Sequence, residues 1–309
     1  LSRDIRDACF ETLYDIACKD PNVILLTDDM GAFTLEKFKK DLPKQYYNIG
    51  IAEQNMVSVA AGLALTGKKP FLYGISAFMS LRCLDQLKLD VCAMNLPVTI
   101  ISTGPGLSYG SDGPTHHAVQ DIAVLDTLPE LSIYNPIDDI STMKIVQLAY
   151  EAKKPTYIRL EKGILPTIYS INHNFTIGFN ELKQGRDTLI ISTGAITHHI
   201  LEIISGLKEA INHFGLLDMY CIKPIDISRL EAVLSRYLAI IVIEETTDVL
   251  GNKIRKLLTK GTTLKCLQLP DKHIWECGDR EYLKSLYKLD NISISNFLAN
   301  FLRGSSYDL

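Results

Sequence analysis

The sequence contains no run of five or more lysines or arginines, and its formal net charge is −4. Both facts argue against a nucleic-acid groove or an anionic membrane surface as its partner. No apolar stretch approaches the roughly 20 residues that cross a bilayer; the longest, such as Leu238–Ile243, fall far short. The amino-terminal residues do not join a basic region to an apolar core and a small-residue cleavage site, so no secretory signal is expected. The seven cysteines (Cys9, Cys18, Cys83, Cys92, Cys221, Cys266 and Cys277) are odd in number and scattered. With no CxxC and no Cys/His cluster of zinc spacing, free thiols in a reducing cytoplasm are the expectation. Also missing are GxxxxGK[ST], a strand–helix GxGxxG, GxSxG and HExxH, so the common phosphate cradles, the nucleophile elbow and the zinc helix are excluded.

What is present is globular. The chain has 309 residues, 47% hydrophobic and 22% charged, which is more than one ordinary core needs and comfortable for two. Buried β-rich runs at Val23–Thr27, Pro70–Gly74, Val98–Ser102, Ser132–Asn135 and Thr156–Leu160 alternate with helical spacing over Glu53–Thr66, Met79–Asn95 and Asp138–Lys153. That alternation predicts a parallel sheet with helices on both faces. Lys162–Gly185 reads as a linker with one short strand, and the pattern then restarts. Strands are expected at Thr188–Thr193, Leu216–Tyr220, Ile240–Glu244 and Leu264–Leu269, and helices at Ile196–His213, Ile227–Tyr237 and Val249–Leu258. Two doubly wound α/β domains are expected, 1–172 and a smaller 173–309.

Candidate chemistry concentrates in two places. In Asn48-Ile-Gly-Ile-Ala-Glu-Gln-Asn-Met56 a strand passes through a glycine turn into a helix, with Glu53 near its start. A carboxylate there favours the helix dipole. It also stands at the carboxyl end of a strand, where open α/β sheets bind ligands, and burial would let it share a proton with a ligand nitrogen. The second place is Gly104-Pro-Gly-Leu-Ser-Tyr-Gly-Ser-Asp-Gly-Pro-Thr-His-His117, a loop of shaped backbone carrying Asp112, His116 and His117. A histidine near a carboxylate can act as a general acid or base or hold a substrate hydroxyl; two solvated histidines on a surface loop is the bland alternative. Phe78 reads as core or as a ligand platform. Arg159, in a strand, reads as a salt-bridge partner or an anion site. Glu244 and Glu245 read as strand-end residues that bind nothing.

Three motifs in register resemble the transketolase and 1-deoxyxylulose-5-phosphate synthase group: "NIGIAEQNMVSVAAGLALTGKKPF" (48–71), "RCLDQLKLDV" (82–91) and "YGSDGPTHHAVQDIAVL" (109–125). "DTLIISTGAITHHILEI" (187–203), "DMYCIKPID" (218–226) and "AIIVIEETTDVLGNKI" (239–254) resemble the carboxyl-terminal domain of the same enzymes. The resemblance implies a pyrimidine-binding domain of a thiamine diphosphate enzyme followed by a transketolase carboxyl-terminal domain. It implies that Glu53 hydrogen-bonds the aminopyrimidine, that Phe78 stacks on it, and that Asp29 and Arg82 lie at the cofactor. It gives Asp112, His116, His117 and Arg159 to the substrate, with His117 standing where the family often has Gln.

The GDG…N motif that holds Mg²⁺ and the diphosphate in full-length relatives is not in this sequence. The resemblance therefore implies a separate amino-terminal, diphosphate-binding subunit and an α2β2 assembly, with no metal ligand on this chain. Relatives acting on phosphorylated sugars commonly have His at Gly104 and Ser near Ala32–Phe33; their replacement points to a modified sugar, nucleotide-linked or branched. The expected activity is transfer of a two-carbon ketol unit between sugars. A 1-deoxyxylulose-5-phosphate synthase-like or pyruvate-using carboligase subunit is the alternative. The DGPTHH loop argues against the 2-oxoacid dehydrogenase beta subunits. A non-catalytic regulatory subunit is the reading from another class, opposed by the retention of Glu53, Asp112 and His116.

Overall fold

A computed structural model describes residues 2–31, 33–207 and 212–303. The strands, numbered along the chain, are Val23–Thr27 (β1), Tyr46–Asn48 (β2), Lys69–Ile75 (β3), Thr99–Thr103 (β4), Ser132–Tyr134 (β5), Thr156–Leu160 (β6), Asn180–Lys183 (β7), Thr188–Ser192 (β8), Phe214–Asp218 (β9), Cys221–Lys223 (β10), Ala239–Ile243 (β11) and Thr263–Leu267 (β12). They build two sheets, ordered β10-β5-β6-β4-β3-β1-β2 and β12-β11-β8-β9-β7. Pairing is parallel throughout except at two edges, where β10 runs antiparallel to β5 and β7 antiparallel to β9. β1, β4, β6, β8, β9 and β11 are buried at every position. That is the mark of strands covered by helices on both faces, and it explains their near-continuous apolar sequence. The fold is α/β.

The chain divides into two compact units that are not simple halves. The first comprises Leu1–Pro105, Gln120–Gly178 and Tyr220–Ile225; the second comprises Gly106–Val119, Phe179–Met219 and Asp226–Leu309. A boundary near residue 172 separates most of the chain in the same way. The segment 106–119 nevertheless packs with the second unit, and 220–225 adds β10 to the first sheet.

In the first unit the helix Ile5–Ala17 starts on Asp4, whose carboxylate accepts from the Arg6 N–H. The helix Asp139–Glu151 starts on a capping box between Asp138 and Ser141. Each cap satisfies helix N–H groups that have no partner in the helix itself. Phe10 meets Tyr73 of β3 edge-on at 4.6 Å. The regular helix expected over Met79–Asn95 is replaced by two π-helical turns, Phe78–Arg82 and Leu87–Cys92, flanking a short α-turn at Leu84–Gln86. Such widened turns recur at functional sites, and the first of these begins on Phe78.

In the second unit a core of Ile190, Ile200, Phe214, Ile241, Leu283 and Phe297 also takes in Leu107 and Val119. These two residues bracket the loop that carries Asp112 and the histidines. The helices Arg280–Leu286 and Asn291–Leu302, capped by Asp279 and Asp290, close this core. The helix expected over 196–213 ends at Gly206, and part of its remainder lies outside the described residues. Among the described residues no helix is long and apolar enough to cross a membrane.

Candidate active site

The first cluster lies in the first unit, on segments that follow or flank the carboxyl ends of β1, β2 and β3. Glu53 is the first residue of the helix Glu53–Leu65 and is 3% exposed. Its Oε1 accepts a 2.8 Å hydrogen bond from Arg82 Nη1. Arg82 is itself 43% exposed on its side chain, and its guanidinium carbon lies 3.9 Å from the centre of the Phe78 ring. A flat cation is thus held edge-on by a buried carboxylate and face-on by an aromatic ring. Hydrogen bonding to a charged partner and cation–π contact both favour this arrangement.

A second carboxyl sits beside Glu53, and it is not the expected one. Asp29 is exposed at φ +70; its N–H donates to Asn48 Oδ1 and its Oδ1 accepts from Asn48 Nδ2. Asp28 is the buried acid, 6% exposed, with Oδ1 lacking any hydrogen-bond partner among the described residues. Burial pushes its carboxyl up to about 7, the Glu53 charge pushes the same way, and Arg82 opposes. The correction follows from strand geometry. β1 ends at Thr27, and which of two adjacent acids turns inward depends on where the pleat stops. Gly74 of β3 completes the niche, because a Cβ there would fall 2.5 Å from Asp28 Oδ2 and 2.7 Å from Met79 Cγ. Two neighbouring buried carboxyls, one of them bonded to the partly exposed Arg82, form a site able to hold a proton on a bound ring nitrogen.

Arg159 is a salt-bridge partner, one of its two readings from the sequence. It is 3% exposed, and its Nε and Nη2 donate to Asp121 Oδ2 and Oδ1 at 2.7 and 3.1 Å. Asp121 is fully buried and also accepts from the Tyr157 hydroxyl. The guanidinium is therefore compensated inside the first unit. Ala32, one of the two positions expected near the phosphate end, lies outside the described residues, as does the side chain of Phe33.

The second cluster belongs to the second unit. The loop 106–119 is held at its neck by an antiparallel bridge between Gly106 and Ala118 and turns through a short 3₁₀ segment, Gly110–Asp112. Asp112 is exposed. His116 is half-buried, its Nδ1 lies 3.0 Å from Thr115 Oγ1, and Tyr109 meets its ring edge-on. His117 points the other way. It is 5% exposed, and neither ring nitrogen has a hydrogen-bond partner among the described residues. Burial lowers its pKa, opposed by the main chain of Gly110 and Ile274.

Sequence reasoning missed what shapes this loop. Glu245 Oε1 accepts from the Leu107 N–H at 2.8 Å, and Arg280 Nε donates to both oxygens of Glu245 at 2.9 and 3.1 Å. Gly106, at φ +57, approaches so closely that a Cβ would lie 2.6 Å from Glu245 Oε1. The Gly278 N–H donates to Gly110 O, Leu283 fills the space beside Gly110, and Cys277 Sγ stands beside Gly113. Glu244 accepts from the Leu250 and Gly251 N–H groups. Both glutamates follow the end of β11 and bind backbone, a structural role. A glycine-rich loop with an acidic pair downstream was the available signal, but nothing local joins positions 107 and 245.

The family description "transketolase, pyrimidine binding domain" matches residues 2–167, and "transketolase, C-terminal domain" matches 179–294. The chain belongs to the transketolase family, as a transferase-type enzyme subunit. It is 32% identical over 304 residues to one subunit of an apulose-4-phosphate transketolase of Phocaeicola vulgatus, covering 96% of this chain and 97% of that one. It is 33% identical over 284 residues to a 1-deoxy-D-xylulose-5-phosphate synthase of Alkaliphilus oremlandii, covering 88% of this chain but 45% of that one. Among solved structures it superposes on a split-gene transketolase described as an inactive beta4 tetramer, with a TM-score of 0.84 and 28% identity over 96% of this chain and 97% of that one.

Proposed function

We propose that this chain is the pyrimidine-side subunit of a two-subunit, thiamine-diphosphate-dependent transketolase that moves a two-carbon ketol unit between sugars. The observation that carries the reading is the Arg82 guanidinium. It is flat, bears N–H donors, bonds Glu53 and lies over Phe78. It stands in for an aminopyrimidine, which would satisfy the same two contacts. Thiamine diphosphate, when bound, supplies the nucleophilic carbon that accepts the ketol unit. Glu53, kept out of water, holds a proton between its Oε1 and a ring nitrogen. Phe78 orients the ring face, and Arg82, the exposed member of the trio, swings out to admit it. Asp28 keeps a second proton close to Glu53. On the loop, His116, whose Nδ1 lies 3.0 Å from Thr115 Oγ1, and the exposed Asp112 are assigned to the sugar's oxygens.

The diphosphate and Mg²⁺ belong, in this reading, to a separate amino-terminal-type transketolase subunit in an α2β2 assembly. Likeness over nearly full length to a relative that is itself named as one subunit of a transketolase supports the split arrangement. That relative is named for apulose 4-phosphate, which supports a sugar other than the ordinary pentose phosphates. The commitment of Arg159 to Asp121 points the same way, since it removes one cation from the phosphate end. Likeness to the 1-deoxyxylulose-5-phosphate synthase favours one second reading, a pyruvate-using carboligase.

The test is co-expression with a neighbouring GDG-containing chain, then a donor and acceptor screen with thiamine diphosphate and Mg²⁺. Ketol transfer that disappears in Glu53→Gln is the expected result. Unchanged turnover in Glu53→Gln would sink the catalytic reading, and pyruvate decarboxylation by the pair would favour the carboligase.

A further inference from the structure

The loop 106–119 is gripped within the second unit both at its neck and at its turn. At the neck, the Leu107 N–H donates to Glu245 Oε1 at 2.8 Å, and the Thr247 N–H donates to Val119 O at 3.2 Å. At the turn, the Gly278 N–H donates at 3.1 Å to the carbonyl of Gly110, the first residue of the 3₁₀ segment that ends on Asp112. Arg280 opens the helix Arg280–Leu286 two residues after Gly278. Its Nε donates to both carboxylate oxygens of Glu245, at 2.9 and 3.1 Å. Leu283 follows on the same helical face, and a Cβ built on Gly110 would lie 2.5 Å from its Cδ1.

Neck and turn therefore share one connection. The Glu245 oxygen that takes the Leu107 N–H is also held by Arg280. The helix that Arg280 opens brings Leu283 under Gly110, and the residues leading into it bring the Gly278 donor. There is little slack at the neck, where a Cβ on Gly106 would lie 2.6 Å from Glu245 Oε1. The Glu245 and Arg280 side chains are 7% and 25% exposed, so salt screens the pair less than it would a surface pair. Filling such a space for stability alone needs no charges, because apolar residues of similar volume often do as well. Charge-assisted hydrogen bonds add direction, and here they direct the Asp112 turn.

We propose, resting on the reading that gives Asp112 and His116 to the sugar, that Glu245 and Arg280 are positioning residues for sugar binding. They act through the loop: the pair fixes the Asp112 turn against the neck and so sets the spacing at which Asp112 and His116 meet the sugar's oxygens. Loosening the pair weakens contacts made alike to the bound sugar and to the transition state. Such a loss raises KM and leaves kcat nearly unchanged. A pair that served stability alone would instead lower the folded fraction and leave KM as it was.

The test is steady-state kinetics of the reconstituted pair, with the donor and acceptor that the screen selects, beside amide hydrogen exchange of the full chain. Arg280→Ala and Glu245→Ala each raise KM for a sugar by about tenfold, while kcat and the affinity for thiamine diphosphate hold within about twofold. Glu245→Gln, which keeps an acceptor for the Leu107 N–H, recovers most of the KM. In an Asp112→Ala background, Glu245→Ala adds little, as expected of two residues acting on one contact. In Arg280→Ala, exchange quickens at Leu107 and Gly278, while the amides of β8 and β11 stay protected and show that the unit is folded. The proposal is overturned if KM is unchanged, if Glu245→Ala adds its full effect to Asp112→Ala, or if exchange at Leu107 and Gly278 does not respond. Absence of ketol transfer in the unsubstituted pair would count against the ketol reading and not against the grip on the loop, which the exchange measurement judges by itself.

Discussion

The two units bury acids in opposite ways. In the second, Glu244 and Glu245 are saturated: main-chain N–H groups and Arg280 meet their oxygens. In the first, Glu53 is bonded to the exposed Arg82, and the neighbouring Asp28 keeps an oxygen with no partner among the described residues. Saturated acids shape backbone, whereas undersatisfied ones are held at a cost that a ligand can relieve. Asp121 and Arg159 show that the first unit can also saturate a buried pair. The deficit at Glu53 is therefore local to that niche.

The comparison breaks if these acids prove interchangeable, and the sharpest probe is catalytic. Glu53→Gln is expected to lower turnover of the reconstituted enzyme by roughly 10²–10⁴, measured by ketol transfer with saturating cofactor. Next is the saturated pair: Asp121→Ala leaves Arg159 buried and uncompensated, so urea unfolding should register a loss of about 3–5 kcal/mol. Asp28 should behave oppositely. Its folded pKa of about 7 lies above the ordinary 3.8, so its contribution is fully present below about pH 4 and is lost as pH rises through 7. Asp28→Asn should then stabilise the cofactor-free chain at about pH 8, by at most about 4 kcal/mol, and leave it unchanged below about pH 4. A denaturation series across that window checks the sign. Glu245→Ala should cost about 1–3 kcal/mol by stranding the Leu107 N–H and Arg280, with Glu245→Gln restoring part of it. The smallest effect belongs to Phe78→Leu, worth roughly 1 kcal/mol of cofactor affinity by titration of the assembled enzyme.

Much of this was legible in the sequence because it is local. Six strands buried at every position leave a continuous apolar trace, and Glu53, Phe78 and Arg82 come from motifs fixed within 30 residues of one another. The helices Ile5–Ala17 and Asn291–Leu302 escaped the reading although Asp4 and Asp290 announce their starts. The edge strand β10, three residues long, carries too little pattern to register. Asp28 was passed over for Asp29 because a one-residue difference in where a strand ends inverts both side chains. The seat of the 106–119 loop was beyond local reading altogether, since the hydrogen bond that shapes its neck spans 138 positions.

That long-range bond has a consequence for recombining relatives. A chimera cut near residue 172 would give the loop a foreign Glu245, Arg280 and Gly278, and so a neck its own sequence was never matched to. Crossover points on both sides of 106–119, carrying that stretch together with the carboxyl-terminal unit, respect the actual seam of the molecule. In that sense the substrate loop is inherited with the part of the chain that grips it, whatever the order of the residues suggests.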